Sequence, residues 1–171
     1  MTSVVLLDAL KERTEAAVSE LLMPVKPTKE APDVAHRAPV VYRTRLPDGK
    51  ASTKYAPYVL HTVVNTAYNQ QPGNAPEGLC NIRTLFCVYS PDEQEGGLYL
   101  LNLMERIRID LMINPIVGKQ FKLDDDGGIE QLVYPDDTAP FYLGEMMSVW
   151  KMPIVRREER TVWGEPNPTR L

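Results

Sequence analysis

Residues Pro57–Asn114 leave this chain few ways to fold. In order they read as strand, loop, strand, acidic turn, helix. The first strand, Pro57–Thr66 (PYVLHTVVNT), is rich in β-branched residues that suit a pleated, part-buried surface. The second, Asn81–Ser90 (NIRTLFCVYS), places Ile82, Thr84, Phe86 and Val88 on one face. Leu85, Cys87 and Tyr89 take the other, with Arg83 near its end. Two apolar faces predict a central strand. From about Gly97 to Ile113, Leu100, Leu103, Met104, Ile107 and Leu111 form one helical stripe. Glu105, Arg106 and Asp110 fall on its polar side, and Asn114-Pro115 stops it. Ser90-Pro91-Asp92-Glu93 resembles a capping box, and Gly96-Gly97 predicts that Pro91–Gly97 is an acidic loop or short turn.

The preceding and following segments supply the remaining elements. Ser3 is positioned to cap a helix from Val4 to about Met23, with Val4, Leu7, Leu10, Thr14, Val18 and Leu21 inward and Ala17 and Leu22 widening the stripe. Lys11, Glu12, Arg13, Glu15 and Glu20 are expected in solvent. Pro24 ends that helix, and Pro24–Pro39 reads as an extended connection or arm. In Val40–Leu46, Val41, Arg43 and Arg45 oppose Tyr42, Thr44 and Leu46, so the arginine face is expected to meet water or a partner. Pro47-Asp48-Gly49 signals a turn, and Asn69–Gly78 a polar loop. Ile116–Leu123 and Ile129–Tyr134 flank Asp124–Gly128, which predicts a hairpin with acidic residues at its tip. Asp136-Asp137 and Pro140 mark the next loop, and Phe141–Val155 reads as a long last strand interrupted near Pro153. The predicted fold is one α/β domain of the α+β type over residues 1–160. Its mainly antiparallel mixed sheet packs with two amphipathic helices, and residues 161–171 form a flexible tail.

Composition narrows the function classes. The chain of 171 residues has a net charge of −4, which gives no basic footprint for nucleic acid. No stretch is apolar and long enough to predict a membrane span, and acids follow the first apolar residues, so no signal peptide is expected. Cys80 and Cys87 have neither a disulfide framework nor zinc spacing. His36 and His61 stand without a metalloprotease or nucleophile-elbow pattern. Asp124-Asp125-Asp126-Gly127-Gly128 resembles a calcium loop, yet it lacks the alternate ligand spacing and the twelfth-position glutamate. Neither a catalytic residue nor a metal or cofactor site is therefore predicted. An enzyme or ligand-binding domain, with a pocket around His61, is the competing class.

The pieces PYVLHTVV, IRTLFCVYSPDEQEGGLYLLNLMERIRIDLM and FYLGEMMSVWKMPIVRRE resemble the tail terminator proteins of long-tailed bacteriophages over about residues 1–160. In that family a strand of the kind "fPyv" precedes a strand ending in an acidic loop. A helix of the kind "l..l.eri...L" follows, and a long strand ending in basic residues closes the chain. The resemblance implies an α/β domain that forms a homo-oligomeric ring, commonly of six subunits, at the head-proximal end of the tail tube. Such a ring stops tube polymerisation and offers a docking face to the filled head. The implied location is the virion tail or neck, and the host cytoplasm during assembly. Another ring of the head–tail junction, such as a head-closure protein, is a close variant. Implied partners are other copies of the chain, the tail tube protein and the head–tail connector, with double-stranded DNA passing through the lumen without specific binding. As loop tips, Asp92, Glu93, Glu95, Asp124, Asp125 and Asp126 suit contact with tube or connector. Arg43, Arg45, Arg156 and Arg157 are candidates for a basic patch facing protein.

Overall fold

The computed structural model describes residues 2–33, 35–47, 52–69, 75–135 and 138–154, and for residue 52 the backbone alone. In chain order it contains helix α1 (Ser3–Val18), strands β1 (Met23–Pro24), β2 (His36–Arg37) and β3 (Val40–Arg43), a short 3-10 turn (Ser52–Tyr55), and strands β4 (Tyr58–Asn69) and β5 (Glu77–Tyr89). Helix α2 (Glu93–Ile113) follows, then β6 (Ile116–Val117), β7 (Phe121–Leu123), β8 (Ile129–Val133) and β9 (Phe141–Lys151). The seven-stranded sheet runs β3-β4-β5-β9-β7-β6, and β8 also pairs with β9. Only β3 and β4 run parallel; every other pairing in the sheet is antiparallel. The α+β domain expected from the sequence is the fold observed, with both helices packed on the sheet.

β5 is central because both its faces are apolar. Cys80, Ile82, Phe86 and Val88 join the main core beneath the helices. On the opposite face, Cys87 and Tyr89 join Leu46, Ala56, Tyr58 and Leu60 in a smaller cluster, against which Tyr42, Leu85, Phe141 and Leu143 pack. From α2, all five residues of the predicted stripe are buried. Each contributes on the order of 1.5–3 kcal/mol by leaving water.

Helix α2 starts four residues before the predicted Gly97, at Glu93. Its cap is Asp92, whose carboxylate accepts from the Gln94 and Glu95 amides at 2.8 and 3.3 Å. The expected Ser90 cap instead braces the entry: its hydroxyl accepts from the Asp92 amide and donates to the Asp92 carbonyl. The cap outweighs the helix-breaking tendency of Gly96-Gly97, and Gly96 is needed for packing. A Cβ there would lie 1.9 Å from the Tyr142 ring of β9.

Helix α1 is shorter than predicted, ending at Val18 rather than near Met23. Met23 is wholly buried and pairs with Arg37, so the chain must leave the helix before reaching it. The inward face is Leu6, Leu7, Leu10, Thr14 and Val18; Val4 and Leu22 point outward. Thr2, not Ser3, occupies the cap position, and its side chain makes no capping bond. The Arg106 guanidinium donates to the Ala17 carbonyl at 2.7 Å and satisfies a terminal acceptor. Within Pro24–Pro39 the β1–β2 ladder replaces part of the expected irregular connection.

Two strand predictions need correction. Val41 is buried in the main core, and Arg43 on the same face pairs with Asp8 of α1. At Val41 and Arg43 that face meets a helix of its own chain, while Arg43 and Arg45 stay exposed to solvent as expected, and the strand ends there because Thr44 adopts φ +66°. Secondly, β7 and β8 do not form a hairpin. β7 pairs with β6, and β7 and β8 lie end to end along β9. The true turn is Gly118-Lys119, both at positive φ. The loop Asn69–Gly78 is shortened, since β4 runs to Asn69 and β5 starts at Glu77. Asp48, Gly49, residues 70–74, Asp136, Asp137, Arg156, Arg157 and the proposed tail lie outside the described residues.

Candidate interaction surfaces

The acidic residues singled out in the sequence separate into different roles. Asp92 is exposed but used as the α2 cap, while Glu93 and Glu95 lie exposed on the first helical turn. Their charges also favour the positive end of the helix dipole. Asp124 is buried, because the loop between β7 and β8 folds down onto β9. Its amide donates to the Val149 carbonyl at 2.8 Å, and its carboxylate accepts from the Gly127 amide at 2.7 Å. Lys151 reaches the same carboxylate at 3.0 Å. The Gly127 bond, helped by Lys151, holds the Asp124 carboxyl below the usual carboxylate range. Asp125 pairs with Lys122 at 2.6 Å, which lowers its pKa, and Asp126 is exposed. Asp124 and Asp125 share Lys151, at 3.0 and 4.0 Å, but their main partners differ: the Gly127 amide for Asp124 and Lys122 for Asp125. Only Asp125 and Asp126 remain presentable to a partner.

The arginines are likewise not one patch. Arg43 is tied to Asp8, and Arg45 is exposed beyond the strand end. A third arginine makes a polar network that the sequence did not single out. Arg83 on β5 donates to Glu145 on β9 at 2.6 Å and to the Tyr134 hydroxyl at 2.9 Å. Tyr134 in turn donates to Glu145 at 2.9 Å. The only sequence signal was a charged residue on each of two strands, with no register to bring them opposite. The register pairs Leu85 with Glu145 and Arg83 with Met147, so the ion pair is a diagonal one.

The residues of the competing enzymatic reading are enclosed. His61 is buried, with Nε2 3.0 Å from the Thr14 hydroxyl and Nδ1 2.9 Å from the Thr84 hydroxyl. Burial lowers its pKa to about 4, so the ring is neutral near pH 7. Cys80 and Cys87 are buried, and burial pushes the Cys87 thiol up to about 12. A nucleophilic thiol needs the opposite shift. An open depression of about 420 Å³ lies between Ala75–Gly78 and Lys151–Ile154, and neither His61 nor either cysteine lines it.

What remains accessible is backbone and apolar surface at the sheet margins. β3 pairs with β4 only from Tyr58 to His61, so Thr62–Asn69 has no strand partner on that side among the described residues. Val64 and Tyr68 there are 56% and 57% exposed. At the other margin β8 pairs with β9 alone among the described residues, and Leu132 and Val133 are exposed. Along α2, Leu98, Leu101, Ile109, Met112 and Ile113 make a second, outward apolar stripe.

These features define a single-domain α+β protein with its helices on one face and its sheet open at two margins. No protein-family model matches the chain, and no curated protein matches it.

Proposed function

We propose that this protein is a structural ring component of a long-tailed bacteriophage virion, the terminator of the tail tube. In this reading copies of the chain form a closed ring, commonly a hexamer, at the head-proximal end of the tube. The ring caps tube growth and then receives the head connector, without enzymatic chemistry or a cofactor. The observation that carries the reading is the pair of open margins on opposite sides of one sheet. Different surfaces at the two ends of a subunit suit head-to-tail addition, which closes into a ring when the rotation allows. The α+β fold is of the class that the resemblance implies. Asp125, Asp126, Glu93 and Glu95 are the acidic groups left to orient tube or connector.

The test is a nonsense mutation in the gene during phage growth. Overlong tubes and filled heads without tails are expected, with complementation restoring joined particles. Labelled protein should mark the head-proximal tail end in several copies. Tubes of normal length with leaking heads would favour a head-closure ring instead. A single copy per tail, or a two-fold dimer there, would overturn the ring.

A further inference from the structure

We infer that β8 of one copy adds to the Thr62–Asn69 edge of the next, antiparallel, so that neighbouring sheets become continuous; this rests on the ring reading and specifies its joint. The first observation is that, among the described residues, no strand covers the Thr62–Asn69 edge. TVVNTAYN contains no charge and no proline, and it is strongly β-prone. Soluble proteins usually blunt such an edge with lysine, proline or a covering segment. Within the described residues this edge carries a register irregularity between Val63 and Asn65.

The second observation is the state of β8. The Tyr134 amide donates to Leu143 and the Gly128 carbonyl accepts from Val149, so even-numbered residues face β9. By antiparallel alternation Ile129, Gln131 and Val133 direct N–H and C=O groups away from β9, to the open side. Among the described residues both edges therefore offer ladder positions without a strand partner, and exposed Leu132 and Val133 would meet exposed Val64 and Tyr68.

Strand direction selects the pairing. β4, β5, β9 and β8 alternate in direction across the sheet. Repeating the subunit head to tail places β8 antiparallel to the next β4, which extends that alternation unbroken. Steric outline agrees. β3 covers β4 up to His61, which leaves, among the described strands, a recess one strand deep along Thr62–Asn69. Through β9 and β5, Gln131 is level with Met146, Thr84 and His61. Seating β8 in the recess therefore staggers neighbours by about four residues, on the order of 13 Å. A stagger of this kind tilts strands to the ring axis, as closing a sheet on itself requires.

The experiment uses the full chain at high concentration, with sedimentation velocity and negative-stain microscopy. Thr66→Cys is combined with Glu130→Cys, Gln131→Cys or Leu132→Cys, and the products are oxidised. At least one combination is expected to give a ladder of disulfide-linked multimers. Gln131→Pro removes an outward N–H without touching the β9 ladder, and Thr66→Lys charges the opposite edge. Each should abolish assembly while leaving the circular dichroism spectrum and melting of the subunit intact. Rings that form normally in both variants and yield no ladder would overturn the joint while leaving the ring reading. A ladder in open filaments that never cap tubes would keep the joint and remove the ring reading. A chain that stays monomeric at millimolar concentration, or pairs β4 to β4 as a two-fold dimer, would overturn the joint.

Discussion

Arg13 on α1 and Asp110 on α2 clasp each other through two parallel hydrogen bonds, Nε–Oδ2 at 2.6 Å and Nη2–Oδ1 at 2.8 Å. Both residues read from sequence as solvent-facing, and each lies at the margin of its apolar stripe. The two-pronged geometry fixes the relative rotation of helices that are otherwise held by non-directional packing. Both side chains are about a third exposed, so solvent screens the pair. Replacing either by alanine is expected to cost about 1 kcal/mol, or roughly 2–4 °C in melting temperature for a chain of this size. A double-mutant cycle should return a coupling of similar size; zero coupling would make the clasp ornamental.

The Thr14–His61–Thr84 bridge predicts a pH dependence. The folded pKa of His61, about 4, lies below its ordinary 6.5. Between those values the unfolded chain binds a proton that the folded chain refuses, so stability falls as pH drops through this window. The loss should approach about 3 kcal/mol and level off below the folded value. Urea unfolding measured from pH 7 to pH 4 checks it. His61→Gln should be less stable at pH 7 yet show a flatter slope across that range. An unchanged slope would assign the effect to carboxylates.

Gly96 sets two effects against each other. In an unobstructed helix, alanine would be better than glycine by about 1 kcal/mol. Here the added Cβ would overlap the Tyr142 ring, and overpacking costs about 1–3 kcal/mol. Gly96→Ala should therefore destabilise. In a Tyr142→Ala background the same substitution should become favourable, because the obstacle is gone. Chemical denaturation of the four proteins decides between packing and propensity.

Periodicity made the core legible. The stripe of α2 and the two faces of β5 are buried as their spacings require, because apolar residues at regular intervals leave one arrangement that removes them from water. Details set by a single polar contact were not legible. Asp92 captured the cap from Ser90, and Asp124 folded a presumed hairpin tip onto β9. Pairings between distant segments were also hidden, since Arg13–Asp110 and Arg83–Glu145 depend on a rotation and a register that no local pattern encodes. The open margins were invisible for the same reason, as an edge exists only once strand order is known.

The Asp124-Asp125-Asp126 run should split by position. Asp124→Ser replaces the charged acceptor of the Gly127 amide by a weaker hydroxyl and removes the Lys151 partner, and should lower stability by about 1–3 kcal/mol. Asp125→Ser and Asp126→Ser should change it by less than about 0.5 kcal/mol. If these two meet the tube or connector, their double substitution lowers the yield of joined phage while the purified domain melts normally. Normal yield would remove the contact.

The final prediction concerns DNA. If the protein forms the proposed neck ring, the genome must slide through it, and a lumen rich in free Lys and Arg would hold it by releasing condensed counterions. The net charge of −4 works against such a grip. More specifically, several of the cations are already neutralised by neighbours: Arg43 by Asp8, Arg83 by Glu145, Lys122 by Asp125, and Lys151 by Asp124. Binding phosphate there would mean breaking these pairs or leaving a carboxylate beside the DNA. The protein is therefore expected to show no measurable affinity for double-stranded DNA near physiological salt. Gel-shift titration of the purified chain measures this directly. Tight binding that weakens steeply with added salt would replace the passive conduit with a ring that grips the genome, and Arg45, exposed at the end of β3, would be the first residue to change.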